Sequence, residues 1–506
     1  MSLLKKLAGE TAIYGLSSIL GRLLNYIILA TVLTRIFTKE EYGVVGVMYA
    51  SSAILMVLFT YRMETAFFRF GKEKQQLNKT FSTTSILLAV TSLVLVLVLF
   101  AFSTTIAAWL SASEEGLTAT AAQKAYYFRI FAVILAADAL SAIPFARLRL
   151  INRPIVFAVI RTINIAVNIL FIVFFLLICP YFLELGWPVE WLYNPEDRIQ
   201  YVFIANLLAS VVTFVLLSPS YFRLKLVFDW TLAKQMLLYA WPLIIAQMAG
   251  VLNLQMGILF IEKNYEEDMT GIYSAAVKIP ILMTLFTQAF NYAAEPFFFR
   301  NADASESKKV YAQVAQAFAV VGVLVFMGIV FYIDLLQYIL GKDFRSGLGI
   351  VPIFLIAYFF LGLFYNFSIW YKLTDRTIIG GYIALIGTAI SFIVNAILVP
   401  IPSINIYGPA WAALFCFAFM AGAAYWTGQK QYKIDYPIRS IGLYLMIGLS
   451  GYFLSEWGKS IWEGYLFPTL FINTLILLAC LIGFYFVDSN FADSILKSIP
   501  WKRKSK

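Results

Sequence analysis

Four arginines and one lysine stand in stretches of this sequence that are otherwise almost wholly apolar: Arg22, Arg62, Arg129, Arg161 and Lys278. Three carboxylates, Glu64, Asp138 and Glu295, are set in the same stretches. A guanidinium presents a planar fork of N–H donors that matches the oxygens of a phosphate or carboxylate two at a time. Several of them held away from water form a cationic cavity suited to a phosphate or pyrophosphate. Spacing supports this in two places. Tyr14, Ser18, Arg22 and Asn25 step by four, four and three, and Arg161, Asn164 and Asn168 stand at i, i+3 and i+7, so each set shares one face of a helix. The carboxylates serve either as counter-ions for the arginines or as sites where Na+ or H+ binding is coupled to movement. Other chemistry is excluded by residue type: there is no histidine, and Cys179, Cys416 and Cys480 each sit alone in apolar sequence. That removes His-based metal sites, Ser-His and Cys-His nucleophiles and CxxC redox pairs. No catalytic residue, metal ligand or cofactor is expected.

The elements that hold these residues must be membrane-spanning. The 506 residues are 61% hydrophobic and only 13% charged, with a mean hydropathy of +0.81, whereas soluble domains carry about 25% charged residues. With about 20 apolar residues per span and short connections, the length fits about 14 transmembrane helices. Apolar runs bounded by charge, Pro and Gly fall near 11 to 36, 43 to 67, 81 to 110, 123 to 146, 154 to 180, 199 to 222, 235 to 261, 271 to 297, 310 to 336, 349 to 371, 378 to 400, 409 to 428, 438 to 458 and 466 to 487. The expected fold is therefore an all-α polytopic membrane protein. A charge at mid-bilayer costs at least about 2.5–3.5 kcal/mol on insertion scales, so each intramembrane charge needs a partner, a wet cavity or a task. Arg62, Arg129 and Arg161 stand near span ends and can alternatively snorkel to the nearer interface. Arg22, halfway along its span, has the least access to that escape.

The net charge of +10 is explained mainly by orientation. With the N-terminus placed in the cytoplasm, the cytoplasmic loops and tail hold about two-thirds of the 38 Lys and Arg, among them Lys5, Lys6, Arg69 to Lys79, Arg147, Arg149 and Arg153. The opposite side holds few bases and more than half of the 28 acids, including Glu196, Asp197, Glu266, Glu267 and Asp268. Short loops make this bias a topology signal, with both termini inside. Nucleic acid is not expected as a partner.

A repeat gives the domain plan. Glu64-Thr-Ala-Phe67-Phe68-Arg69 closes the second span and Glu295-Pro-Phe-Phe298-Phe299-Arg300 the eighth, and the same offset carries Tyr42 onto Tyr273. Six spans separate the copies, so both have one orientation. The expectation is two parallel six-helix lobes, residues 1–230 and 231–430, with residues 431–506 supplying two further spans and a basic tail. Transporters built this way bind substrate between the halves and rock one against the other.

The stretch Gly15-Leu-Ser-Ser-Ile-Leu-Gly21-Arg22-Leu-Leu-Asn25, continuing to Thr34-Arg35-Ile-Phe-Thr-Lys-Glu-Glu41-Tyr42-Gly43, resembles the opening of the polysaccharide transporter branch of the MOP exporter superfamily. Further similarity lies in Arg62-Met-Glu64-Thr-Ala-Phe-Phe-Arg69-Phe, in Arg147-Leu-Arg149 followed by Asn152-Arg-Pro154, in Leu238-Tyr-Ala-Trp-Pro242-Leu, and in Gly271-Ile-Tyr273-Ser-Ala-Ala-Val-Lys278. It covers about the first 430 residues. The resemblance implies a Wzx-type flippase of the bacterial inner membrane, moving undecaprenyl-pyrophosphate-linked oligosaccharide such as an O-antigen or capsule repeat unit of lipopolysaccharide or related polysaccharide synthesis. It implies a central cationic cavity, onto which Arg22, Arg129, Arg161 and Lys278 map, with Asn25 and Asn164 beside them. Membrane lipids are partners by necessity, and a polysaccharide polymerase and other assembly proteins are further candidates. One departure stands out: members often carry an Asp-Arg pair late in span seven, where this chain has Met256-Gly257. Ion coupling through that pair is therefore not expected here. The alternatives are a lipid II flippase, which would share the cationic cavity, and a multidrug exporter, whose organic cations call for an acidic one. A membrane polymerase or ligase would need large outer loops with catalytic groups, and the longest such loop here, about 181 to 199, has no histidine.

Overall fold

A computed structural model describes residues 27–72, 74–110, 119–222, 227–300, 307–374, 376–462 and 465–489. Among them there is no β-strand. In hydrocarbon every backbone N–H and C=O must be satisfied within its own segment, and the helix is the single-segment solution. In chain order the helices are α1 (Ile27–Ile36), α2 (Lys39–Thr60), α3 (Met63–Phe70), α4 (Lys74–Leu110), α5 (Ala121–Leu150), α6 (Pro154–Val173), α7 (Cys179–Glu184), α8 (Gln200–Leu217), α9 (Pro219–Phe222), α10 (Trp230–Asn264), α11 (Glu267–Ala276), α12 (Ile281–Arg300), α13 (Ser307–Val330), α14 (Ile333–Leu336), α15 (Val351–Phe367), α16 (Ile369–Leu373), α17 (Thr377–Leu398), α18 (Tyr407–Gln431), α19 (Ile438–Ile461) and α20 (Leu466–Val487). Twelve described helical stretches are long and apolar enough to cross a membrane, and α11 with α12 makes a thirteenth if that bent pair is one span. α1 is the described end of the expected first span.

Local chemistry sets the boundaries. Thr38 and Thr120 open α2 and α5 with capping boxes, each side chain accepting from the backbone three residues on while Glu41 or Gln123 reaches back. Asp229 caps α10 by accepting from Leu232 N–H and pairs with Lys79 Nζ at 2.5 Å. The lysine and that N–H together hold its carboxyl below the usual carboxylate range. Pro154 begins α6, where its missing N–H costs nothing.

Several expected spans are interrupted, and three of the breaks stand out. The second breaks between α2 and α3, where Tyr61 (φ 29°) and Arg62 (φ 59°) adopt left-handed backbone. The fifth widens into a π-turn at Phe174–Ile178. The eighth bends by 43° between α11 and α12, at the segment that holds Lys278 and Pro280.

The described chain divides into two compact units. The first takes the residues up to Lys278 with Leu340–Gly347 and Ala384–Pro409; the second takes Ile279–Ile339, Leu348–Ile383 and the residues from Ala410 on. Contacts thus group α10 and α11 with the first unit, although the repeat would open a second lobe at residue 231. The reason is a close crossing of α2 and α11. A Cβ on Gly43 would stand inside contact distance of the Glu267 carbonyl, one on Gly271 inside that of Lys39, and one on Gly46 against the Ser274 hydroxyl. Lipid tails are as apolar as the side chains, so close backbone approach between small residues, rather than burial from water, binds such helices. Elsewhere in this unit Met63, Phe67, Phe81, Ile143, Met236 and Ala240 form one packed cluster. In the second unit Phe298, Tyr311 and Ile369 form another, and Asn473 of α20 donates to the Phe331 carbonyl at 2.6 Å while accepting from Ser455 at 2.7 Å.

Candidate functional site

The two copies of the E-x-x-F-F-R repeat both end a helix and both bury the first phenylalanine, Phe67 at 0% and Phe298 at 4% exposure. Tyr42 and Tyr273 are buried as well. Beyond these anchors, the polar residues of the first unit gather in three places.

The middle place is a polar seam between α5, α6 and α8. Asp138 stands close to Ser210 and within electrostatic reach of Arg161. Arg161 itself spreads over the ring of Phe145 at 4.3 Å, with Phe157 at 5.8 Å. Along the same faces Asn164 donates to the Ala209 carbonyl at 3.1 Å and to Thr213 Oγ1 at 2.9 Å. Asn168 is 7% exposed, and its Oδ1 has no hydrogen-bond donor among the described residues. On the other flank Asn206 Nδ2 donates to the Tyr49 hydroxyl at 3.1 Å. Asn206, Ser210 and Thr213 are not among the residues singled out from the sequence, although their i, i+4, i+7 spacing is the same signal that marks Arg161, Asn164 and Asn168.

The second place is the end of the unit formed by α3, the start of α6 and the last turn of α5. Here arginines stack on aromatic faces: Arg69 on Tyr239 at 4.3 Å, Arg147 on Phe81 at 5.0 Å and Arg149 on Phe68 at 4.8 Å. Arg147 also donates to Asn78 Oδ1 at 3.3 Å. Glu64 is ion-paired with Arg149.

The third place, at the opposite end of α2, α5 and α10, is rich in carboxylates. Lys124 lies 3.2 Å from Glu262 and 2.9 Å from Glu267, all three nearly fully buried. Lys39 pairs with Asp268 at 3.5 Å, Arg198 with both oxygens of Glu41 at 2.9 Å, and the Tyr127 hydroxyl donates to Asp197 at 2.6 Å. The basic end and the acidic end are those that the loop charges assign to the two sides of the membrane.

The structure therefore brings Arg161, Asp138 and Asn164 together but does not join Arg129 to them. Arg129 lies nine residues before Asp138 on α5, about 13 Å along the axis, on an exposed face, with its Nε donating to Ser103 of α4 at 3.0 Å. Lys278 is half-buried at the bend between α11 and α12. Arg22 and Asn25 lie outside the described residues, as does the side chain of Glu295, whose backbone is in α12. Among the described residues, no three His, Cys, Asp or Glu side chains stand close enough to hold a metal ion.

Comparison with known proteins fits these features. Residues 32–346 match the family described as "Polysaccharide biosynthesis protein". No curated protein matches the chain. Among solved structures the chain is similar to a lipid II flippase, MurJ, in an inward closed conformation, at 14% identity and a TM-score of 0.72 over 96% of this chain and 99% of that one. It is similar to an inward-facing MATE family multidrug resistance transporter of the MOP superfamily at 12% identity and a TM-score of 0.64, over 83% and 94%. It also resembles the outward-facing conformation of such a transporter at 12% identity and a TM-score of 0.58, over 83% and 94%. At such identities these structures establish a shared all-helical fold. The family match covers more than half of the sequence, and on that ground this chain, with its twelve described helices long and apolar enough to cross a membrane, belongs to the polysaccharide biosynthesis protein family.

Proposed function

We propose that this transporter is a flippase that carries undecaprenyl-pyrophosphate-linked oligosaccharide, an O-antigen, capsule or related repeat unit, across the bacterial inner membrane by alternating access. The observation that carries this reading is the Arg161, Asp138, Ser210 and Asn164 seam, a charged and hydrogen-bonding strip in helices that are otherwise apolar. In this reading the guanidinium of Arg161, with that of Arg22, replaces water around the pyrophosphate. The Asn168 Oδ1, which has no hydrogen-bond donor among the described residues, accepts from a sugar hydroxyl. The prenyl tail stays in lipid, and movement between inward and outward states exposes the headgroup to the periplasm. Lys278, at the bend of the eighth span, is positioned to change its surroundings as that span straightens or folds.

The test is export of surface polysaccharide in cells carrying variants of Arg161. Arg161→Ala is expected to lower export by about tenfold or more at unchanged protein level, the loss expected from one charge-assisted bidentate contact. Arg161→Lys should restore only part, because a point charge lacks the planar fork. Normal export in the Ala variant would remove Arg161 from the path. A lipid II flippase is the second reading, favoured by the MurJ likeness, which spans 96% of this chain where the inward-facing MATE transporter spans 83%. Rescue of cells depleted of their own lipid II flippase would establish it.

A further inference from the structure

At the acidic end of the first unit, the connection between α7 and α8 is folded back as an ordered structure. Gly186, at φ 75°, ends α7 in the left-handed conformation, and the N–H groups of Gly186 and Trp187 return to the carbonyls of Leu183 and Phe182. Trp187 stacks on Phe182 at 5.0 Å. The Tyr201 hydroxyl accepts from Asn194 N–H at 2.6 Å and donates to the Leu192 carbonyl at 3.3 Å. The Tyr201 ring is stacked between Phe175 and Tyr193, at 4.9 and 5.1 Å. Asp197 and Arg198 then tie the segment to Tyr127 and Glu41. A simple connection between two spans needs none of this order.

The folded segment borders a wide-mouthed cavity of about 430 Å³, within the range of small-molecule sites. Its polar groups are the carboxylates of Glu41 and Glu184, the phenol of Tyr193 and the guanidinium of Arg198; Pro180 and Pro195 supply apolar walls. Arg198 neutralises Glu41 through its two hydrogen bonds, so one carboxylate, on the exposed Glu184, is left in excess. A second observation points to the same place. The π-turn Phe174–Ile178, a rare distortion frequent at functional sites, contributes Leu176 to the wall. Carboxylates that accept from hydroxyls, a guanidinium that donates, and flat apolar walls together fit the two faces of a pyranose ring. The excess negative charge selects neutral or amino sugars over uronic acids.

We infer that this cavity is a saccharide subsite, separate from the Arg161 seam, that holds one sugar of the transported glycan at the acidic end of the transporter. It rests on the reading of the substrate as a glycan.

The test uses the purified full chain in nanodiscs, titrated with N-acetylglucosamine, glucosamine and glucuronate, and followed by the fluorescence of Trp187 and Trp191, both exposed on the connection between α7 and α8. Saturable binding of the first two sugars is expected, with glucuronate weaker by about tenfold at low salt. Glu184→Gln, an isosteric change at an exposed position, should weaken glucosamine binding by about tenfold. Leu183→Trp should fill the cavity and abolish binding of all three. No saturable signal, or equal affinities in wild type and both variants, overturns the subsite. If the variants leave binding unchanged while Arg161→Ala loses export, the subsite falls and the flippase stands. If the variants lose sugar binding while Arg161→Ala exports normally, the subsite stands and the seam does not carry the substrate.

Discussion

At the scale of single residues, the nearness of Asp138 to Arg161 sets a measurable expectation. Each is costly alone in an apolar bundle, and together they offset part of that cost. Ser210 stands close to Asp138, and the Arg161 guanidinium lies within its electrostatic reach and over Phe145. Asp138→Asn is therefore expected to lower the thermal stability of the detergent-purified protein. Adding Arg161→Ala to it should cost less than the sum of the single changes, with a coupling of about 0.5–3 kcal/mol. Strict additivity would show that the two side chains do not work as a pair. How far such residues are legible follows from what periodicity reports. It places Arg161, Asn164 and Asn168 on a shared face, but does not say which neighbour each one meets. Asn164, expected beside the substrate, spends its amide on Ala209 and Thr213. Arg129, mapped to the same cavity, turns to Ser103 on an exposed face. A helical face fixes a direction about one axis, whereas a binding site depends on which other helices stand there.

At the scale of elements, the crossing of α2 with α11 leaves no room for side chains at its centre. The obstacles around Gly43 and Gly271 are backbone carbonyls, which cannot turn aside as a side chain tip can. Gly43→Ala and Gly271→Ala are each expected to destabilise by about 1–3 kcal/mol or more, the usual cost of overpacking. Gly328 of α13 has nothing within 4 Å of its would-be Cβ, so Gly328→Ala should be neutral or stabilise by about 0.5–1 kcal/mol through its better helix propensity. Thermal unfolding of the three variants side by side checks this, and equal effects at all three positions would contradict the packing argument. These glycines are visible in the sequence, but their partner is not, because α2 and α11 are more than 200 residues apart in the chain. Helix breaks are legible unevenly for a related reason. Pro280 announces the bend after α11, while Tyr61 and Arg62 carry no sequence signal for left-handed backbone and fall inside a single apolar run.

At the scale of the whole molecule, the features set by composition are the most legible: the all-helical fold from the apolar runs, and the polysaccharide biosynthesis family from motifs that the family match largely covers. The grouping of helices is less so, since α10 and α11 pack with the first unit through contacts that no repeat encodes. Orientation is the whole-molecule property most open to a direct test. The first unit has one end with Arg69, Arg147, Arg149 and Arg153 and another with Glu41, Asp197, Glu267 and Asp268. Insertion keeps dense Lys and Arg on the cytoplasmic side, so the two ends should lie on opposite sides of the bilayer with the basic one inside. The three native cysteines are all buried, which leaves a quiet background for labelling with a membrane-impermeant maleimide. Glu196→Cys, exposed at the acidic end, should label in intact cells; Arg153→Cys, exposed at the basic end, should label only after the membrane is opened. Labelling in the reverse order would turn the transporter over, place the proposed saccharide cavity on the cytoplasmic side, and make it a site of capture instead of release.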